Sequence, residues 1–197
     1  MDGDPEPGLV ALVRAGAYDR AATEALERYG AELYGYLLAV VGENDAAEVF
    51  GQLCEDLWKG LPTFAVRCSL RTWLYVLARN ATSRYRRSPW HLLRTGDSKL
   101  TAIVDRARTS TARWQRTAVK DRVRELRDSL APDDRALLVL RIDRNLSWDD
   151  CARVMLEIDD PEAADVAREA ARLRKRFQLL KADLRERARA AGLVDDP

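Results

Sequence analysis

The chain has 197 residues, of which 47% are hydrophobic and 33% are charged. This length allows one or two domains with a sizeable core. The chain is poor in glycine (10) and proline (7) and rich in Ala, Leu and Arg, which predicts an all-α fold. No apolar stretch reaches the roughly 18 residues of a membrane helix, and the N-terminus lacks the basic and apolar regions of a secretory signal. We therefore expect a cytoplasmic protein without membrane insertion.

The sequence offers little material for catalysis or metal binding. Three widely spaced cysteines, Cys54, Cys68 and Cys151, fit neither a disulfide framework nor a zinc ligand set. The single histidine, His91, leaves little for a His-dependent triad. Glycine-rich phosphate loops and nucleophile–base patterns are also missing. We expect no catalytic residue, no metal and no cofactor, and hence a protein that is not an enzyme.

The net charge of +1 conceals strong segregation of charge along the chain. Residues 1–60 carry a net charge of −8 and residues 61–120 a net charge of +11. Residues 121–167 are again acidic, at −6, and residues 168–189 are basic, at +6. Each basic block follows an acidic block, which predicts two modules that each present a positive face. We interpret these faces as surfaces for a polyanion rather than as solvated helix faces.

The first part of the chain reads as a series of amphipathic helices. Apolar spacing predicts helices over residues 9–15 and 21–41, and Gly42 is expected to end the second one. Asn44 is expected to cap the next helix, which would run to about Lys59. The apolar stripes also place Trp58, Trp73 and Trp148 in the predicted core.

A basic helix follows over residues 70–87, with Ser69 as its predicted N-cap. One face of this helix carries apolar residues at i, i+3 and i+4 spacing. The helix contains five arginines and no carboxylate. Soluble helices usually mix charges so that residues at i and i+4 can pair, so the polar face is predicted to bind phosphate.

The second half of the chain has the outline of a helix-turn-helix. A basic, weakly periodic linker is predicted over residues 93–121. Pro132 is expected to begin a helix, and Ser147 is expected to cap the short helix that follows it. Asp160 is expected to cap a long basic helix that has Pro161 at its first position. Two consecutive helices joined by a short turn, the second of them basic, are typical of DNA-binding proteins.

These residues also carry a family likeness. The run Ser69-Leu70-Arg71-Thr72-Trp73-Leu74-Tyr75, followed by Ala78-Arg79-Asn80, resembles the second conserved region of bacterial RNA polymerase sigma factors. The extracytoplasmic-function (ECF) type of the sigma-70 family is the most similar group. Leu146-Ser147-Trp148 and the basic run that ends at Phe177 resemble that family's promoter-binding helix-turn-helix.

The resemblance implies two small helical domains joined by a flexible linker. Residues 1–19 would be an N-terminal extension and residues 20–92 a domain like sigma region 2. Residues 93–121 would form the linker, residues 122–191 a domain like sigma region 4, and residues 192–197 a tail. The first domain would bind the polymerase clamp and the −10 element of a promoter, and the second domain would read the −35 element.

The resemblance also implies functional residues and partners. The expected partners are core RNA polymerase and promoter DNA, with an anti-sigma factor as a further candidate. The expected polymerase-binding residues are Asp45, Glu48 and Gln52. The expected −10 residues are Phe64, Arg67, Ser69, Arg71, Thr72, Arg79 and Asn80. The expected −35 residues are Arg168, Arg172, Lys175 and Arg176.

The sequence departs from the family pattern at two places. Gly51 and Cys54 stand where the family usually has Gln and Phe on the clamp-binding helix. The loop over residues 156–165 is acidic and about three residues longer than usual. Carboxylates at this place repel the DNA backbone. These departures motivate an alternative function, a degenerate sigma-like adaptor or regulatory protein that acts through protein–protein interaction without productive promoter recognition.

Overall fold

The computed structural model describes residues 7–89, 125–158 and 160–193. Within these ranges the secondary structure is helical and contains no strand, which confirms the all-α prediction. The predicted linker, like His91, lies outside the described residues. None of the helices in the described ranges is long and apolar enough to cross a lipid bilayer.

The first module, residues 7–89, contains four α-helices. These are α1 (Pro7–Arg14), α2 (Tyr18–Val41), α3 (Glu43–Gly60) and α4 (Leu70–Arg87), and a 3-10 turn over Leu61–Thr63 follows α3. Helices α2, α3 and α4 pack against one another, and α1 packs on α2. The core between them is made mainly of fully buried leucine and tyrosine side chains, including Leu33, Tyr36, Leu37, Leu53, Leu74 and Tyr75.

The second module, residues 125–193, contains the helix-turn-helix. Helix α5 (Pro132–Leu138) continues as a π-helical segment over Val139–Asp143. It is followed by α6 (Trp148–Leu156) and α7 (Ala163–Ala190). Helices α6 and α7 pack closely, with the Trp148 and Phe177 rings 5.5 Å apart in an edge-to-face arrangement.

The two modules are packed against each other. Helix α4 of the first module contacts α6 of the second, and α2 contacts α5. Buried side chains of both modules belong to one continuous apolar cluster. The basic helix of the first module therefore faces the second module rather than open solvent along much of its length.

Two predicted helix caps are confirmed and two are wrong. The Ser69 hydroxyl accepts a hydrogen bond from the Thr72 amide at 3.0 Å, and Ser147 does the same at the start of α6. Asn44 is not an N-cap, because α3 begins at Glu43 directly after Gly42. Gly42 has φ of 88°, a left-handed conformation that reverses the chain without a side-chain cap.

Asp160 does not cap α7, which begins two residues later than predicted, with Glu162 at the N-cap position. The Asp160 carboxylate instead pairs with Arg67 of the first module, at 2.6 Å, and the neighbouring Pro161 is buried. Contact with the first module therefore replaces the local cap. The connection between α6 and α7 spans residues 157–162, longer than the three or four residues typical of a helix-turn-helix.

The tryptophans follow the prediction only in part. Trp73 and Trp148 are half-buried and pack against the core. Trp58 is 56% exposed, so its predicted place in the core is wrong. Its neighbour Leu57 is fully buried and takes the inward position on this turn of α3, which leaves Trp58 on the outer surface.

The cap at Ser147 allows a direct test of local helix stability. Replacing Ser147 by Ala removes the acceptor for the Asp150 amide, which is 3.1 Å away. We expect the free energy of unfolding, measured by urea denaturation, to fall by about 1 kcal/mol. Ser147→Asn keeps a capping side chain and is expected to lose far less. An unchanged free energy of unfolding in Ser147→Ala would show that the hydroxyl does not stabilise the helix as a cap.

Candidate nucleic-acid interface

An aromatic side chain of the loop before α4 packs against another on the first turn of α4. The Phe64 and Trp73 rings lie 4.7 Å apart at an angle of 31°. Gly60 makes this packing possible, since a Cβ atom there would lie 2.9 Å from the Trp73 ring. Val66 has φ of 57°, which is rare for a β-branched residue and indicates a loop held in shape by its surroundings.

A cavity of about 490 Å³ opens beside this loop and is shared by the two modules. The first module contributes the two aromatic rings, Asn80 and several cations, and the second contributes a smaller part of the wall. Aromatic faces combined with cations form the kind of site that holds unpaired bases. The side chains most relevant to such a site are Lys59, Phe64, Arg67, Trp73, Asn80, Arg84 and Arg153.

Arg71 lies at the start of α4 and is held by the first module and by one backbone carbonyl of the second. Its Nε donates to Glu32 Oε1 at 2.8 Å, and its Nη2 donates to the Arg144 carbonyl at 2.9 Å. The Tyr75 hydroxyl donates to the same Glu32 oxygen at 2.7 Å. Burial and this negatively charged partner raise the pKa of Tyr75. The Glu32 carboxylate and the Arg144 carbonyl therefore position Arg71, and Tyr75 in turn holds the Glu32 carboxylate.

Arg79 is the most deeply buried of the candidate DNA-binding arginines, at 5% exposed. Its Nη2 donates to Asp133 Oδ1 at 2.6 Å. Its Nε lies 3.0 Å from Glu157 Oε1 but outside hydrogen-bond geometry, and its Nη1 has no hydrogen-bond partner among the described residues. Both carboxylates belong to the second module. The guanidinium is thus enclosed by two acids while part of its donor capacity stays unused.

The electrostatics around Arg79 follow from this enclosure. Burial lowers the pKa of Arg79, but Tyr36, Asp133 and Glu157 outweigh it, so its pKa is raised. Burial also raises the pKa of Tyr36 to about 12. The pKa of Arg86 is lowered by burial and by the nearby charge of Arg79. Arg79 and Arg86 therefore lie close together, and the carboxylates of Asp133 and Glu157 partly neutralise their charge.

Two polar side chains on the same face of α4 also contact the second module. The Thr72 hydroxyl donates to Asp150 Oδ1 at 2.9 Å, and Thr72 is 1% exposed. The Ser83 hydroxyl donates to Glu157 Oε1 at 2.6 Å. We call the set formed by Thr72, Arg79 and Ser83 with Asp133, Asp150 and Glu157 the intermodule contact.

The candidate −35 residues lie on α7, and most of them point outward. Arg168 and Arg172 pair with acids one turn earlier on their own helix, and their side chains are 75% and 70% exposed. Lys175 is exposed as well. Arg176 differs, because its Nε donates to Asp134 Oδ1 of α5 at 2.6 Å. The apolar face of α7 packs inward, through Val166, Ala170, Leu173, Phe177 and Leu180.

The candidate polymerase-binding residues lie along α3. Glu48 and Gln52 are exposed, and Asp45 is half-buried. The Gln52 amide donates to Asp56 Oδ1 at 3.2 Å. Gly51 lies on the same surface, and a Cβ atom added there would have no neighbouring atom within 4 Å. The α3 surface is therefore open at this point.

The structure brings the predicted −10 residues together around α4 and its preceding loop, but it also closes part of that surface. Arg67, Thr72 and Arg79 each contact an acidic side chain of the second module. The sequence did not identify the acidic residues of the second module as partners of this face. The signals for them in the sequence were the net negative charge of residues 121–167 and the acidity of the segment over residues 156–165.

The arrangement of an arginine-rich helix beside an aromatic-lined cavity, together with a helix-turn-helix, is typical of proteins that bind nucleic acid. Residues 25–91 match the family model described as Sigma-70 region 2. Residues 25–91 therefore form a sigma-70 region 2 domain, which agrees with the resemblance that the sequence shows there. No curated protein matches the chain.

The ion pair between Arg79 and Asp133 can be tested by titration. Burial alone would raise the pKa of Asp133, but Arg79 outweighs it and the pKa is lowered from its ordinary value of 3.8. A lowered pKa in the folded state means that the pair stabilises the fold above pH 3.8 and that this stabilisation is lost as the pH falls through the folded-state pKa. We expect the Asp133 carboxyl carbon, followed by ¹³C NMR, to titrate below pH 3.8.

The control for this titration is Arg79→Gln, in which the Asp133 pKa should return upward because the neighbouring positive charge is gone. A carboxyl that titrates at its ordinary value in the unmodified chain would contradict the ion pair.

Proposed function

We propose that this protein is a sigma factor of the ECF type, which binds core RNA polymerase and directs it to promoters that contain a −10 and a −35 element. The observation that carries the proposal is the match of residues 25–91 to sigma-70 region 2. That segment contains both α3 and the basic helix α4. The protein would catalyse no reaction itself and would use no cofactor.

In the first module, α3 would contact the polymerase through Asp45, Glu48 and Gln52. The loop and α4 would hold the −10 element. Phe64 and Trp73 offer an aromatic surface for an unpaired base, and Asn80 lines the same cavity. The other −10 candidates, which would contact the backbone and neighbouring bases, are Arg67, Ser69, Arg71, Thr72 and Arg79.

In the second module, α7 would enter the major groove at the −35 element. The exposed cations Arg168, Arg172 and Lys175 support this role, because their side chains lie opposite the buried apolar face of the helix. Arg176 is the weakest of the four candidates, since it is engaged with Asp134. In the complex it would have to exchange this carboxylate for phosphate.

Some observations favour a second candidate function over that of a sigma factor. The pairing of Arg67 and Arg79 with carboxylates and the substitutions at Gly51 and Cys54 favour a regulatory adaptor with a sigma-like shape. Such a protein would act through protein–protein contacts and would not start transcription. The two functions differ in whether the protein forms an active complex with core polymerase.

The decisive experiment is transcription in vitro from a promoter library with purified core polymerase and the full chain. A sigma factor is expected to give defined transcripts that depend on the added protein, whereas core polymerase alone should give none. Co-purification with core polymerase is measured in parallel. Binding to core without any transcript would favour the adaptor, and absence of both would contradict the sigma function.

The −35 assignment predicts a change in salt dependence. Arg172→Ala combined with Lys175→Ala removes two exposed cations from α7. If both contact phosphate, the slope of log affinity against log salt for duplex promoter DNA should fall in magnitude by about two. The matched control, Arg185→Ala with Arg187→Ala, removes two cations near the C-terminal end of α7 and should leave the slope unchanged. An unchanged slope in the first variant would exclude these residues from the DNA interface.

A further inference from the structure

The cavity beside Phe64 and Trp73 has the size of a small-molecule site. Its volume of about 490 Å³ lies within the range of roughly 300–1,000 Å³ that is common for pockets that hold small ligands. The second module contributes part of its wall, through Arg153, Ile158, Asp160 and Pro161. A compound the size of a single nucleotide would therefore fit and would contact both modules at once.

One wall of the cavity is an aromatic and apolar surface. The Phe64 and Trp73 rings are half-buried and lie 4.7 Å apart at an angle of 31°. Val76, Leu77 and Ile158 extend the apolar lining on either side of them. A planar ring placed in the cavity can pack on these side chains, and aromatic contacts of this kind favour flat ligands.

The cavity also holds a cation that differs from its neighbours. Four cationic side chains line the cavity, and three of them form ion pairs, namely Lys59 with Glu55, Arg67 with Asp160 and Arg84 with Asp56. The fourth, Arg153, is half-buried and forms no ion pair within the part of the chain that the structure describes. A partly buried charge is costly without a partner of opposite sign. An anionic group in the cavity would supply that partner.

The position of Arg153 directs its charge towards the interior of the cavity. Arg153 lies on α6, and Cys68, which belongs to the loop before α4, lines the same cavity. Burial raises the pKa of the Cys68 thiol to about 11, while the nearby charge of Arg153 acts in the opposite direction. The guanidinium therefore acts across the junction between the modules, at the site where a ligand would lie.

A polar side chain on α4 narrows the class of ligand further. Asn80 is half-buried and lines the cavity together with the two aromatic rings. A side-chain amide both donates and accepts hydrogen bonds, which matches the mixed donors and acceptors on the edge of a nucleobase. A hydrocarbon ring makes no use of such a group. Aromatic rings, an amide and one cation together suit a base that carries a phosphate.

We propose that this cavity binds a free nucleoside monophosphate, with its base on Phe64 and Trp73, the base edge at Asn80 and the phosphate at Arg153. The inference concerns the chain without polymerase or promoter, and Arg153 is not one of the −10 candidates. Under the proposed function, the nucleotide and an unpaired −10 base would compete for the same two rings. Only this last consequence rests on the proposed function.

The first experiment measures binding to the full chain by isothermal titration calorimetry. The probes are adenosine monophosphate (AMP), adenosine, inorganic phosphate and indole-3-acetate. Because the ring and the phosphate each contribute, we expect AMP to bind about tenfold more tightly than adenosine or phosphate alone. Indole-3-acetate, a planar anion without a base edge, should also bind more weakly than AMP. Any of the three probes binding as tightly as AMP would overturn the proposal.

The anion-binding role is tested with Arg153→Gln. We expect about tenfold weaker binding of AMP, because a charge-assisted contact to phosphate is lost, and unchanged binding of adenosine. The matched control is Arg185→Gln, which makes the same change in charge at an exposed position on α7 outside the cavity. Equal loss of AMP affinity in the two variants would contradict a specific phosphate site at Arg153.

The role of the aromatic wall is tested with Phe64→Leu, which keeps an apolar side chain and removes the ring. Both AMP and adenosine should bind about tenfold more weakly, because stacking on the ring is lost, whereas the affinity for phosphate should not change. The matched control is Phe50→Leu, since Phe50 packs on Tyr34 and does not line the cavity. Unchanged AMP binding in Phe64→Leu would exclude the proposed place of the base. Thermal melting of each variant checks that it is folded.

The location of the ligand has a readout of its own. Cys68 lines the cavity, whereas Cys54 is a half-buried thiol of α3 that does not. With AMP at about ten times its dissociation constant, iodoacetamide should modify Cys68 about tenfold more slowly, because few molecules then have an empty cavity. The rate at Cys54, measured in the same sample by peptide mass spectrometry, should not change. Binding of AMP without protection of Cys68 would overturn the proposal.

These experiments are independent of the transcription assay. A chain that supports transcription but does not bind AMP would overturn the nucleotide site and leave the sigma function intact. A chain that binds AMP as described but gives no transcript and does not bind core polymerase would contradict the sigma function and support the nucleotide site.

Discussion

The enclosure of one guanidinium by two carboxylates determines how the halves of this molecule meet. Arg79 is buried on α4 between Asp133 and Glu157, and a buried charge is tolerated only when acids or polar groups accompany it. The first module does not provide a carboxylate on α4 itself. Both carboxylates around Arg79 come from the second module, and the contacts of Thr72 and Ser83 with Asp150 and Glu157 lie beside them.

The same contact reconciles two sets of observations that point in different directions. The region 2 match and the exposed cations of α7 favour a DNA-binding protein. The paired arginines of α4, taken alone, would favour a protein whose basic face serves only its own fold. The two sets of observations concern different helices, because Arg79 of α4 is paired with carboxylates of the second module whereas Arg168 and Arg172 of α7 are largely exposed.

Local features of the fold could be predicted from the sequence, whereas features that depend on the other module could not. The caps at Ser69 and Ser147 depend on residues three positions away, and both predictions are confirmed. The predicted cap at Asp160 is wrong because Arg67, more than 90 positions earlier, attracts its carboxylate. The basic face of α4 was also visible in the sequence, but its acidic partners lie far along the chain, and no helical periodicity connects them.

The connection between α6 and α7 affects how the contact between the two modules can evolve. Glu157 lies in this connection as the C-cap residue of α6, with φ of 53°. Substitutions or changes of length there can strengthen or loosen the hold on Arg79 while α4 and α7 keep their sequences. A change in this connection therefore alters the packing between the two modules without altering the residues of α7 that are proposed to bind DNA.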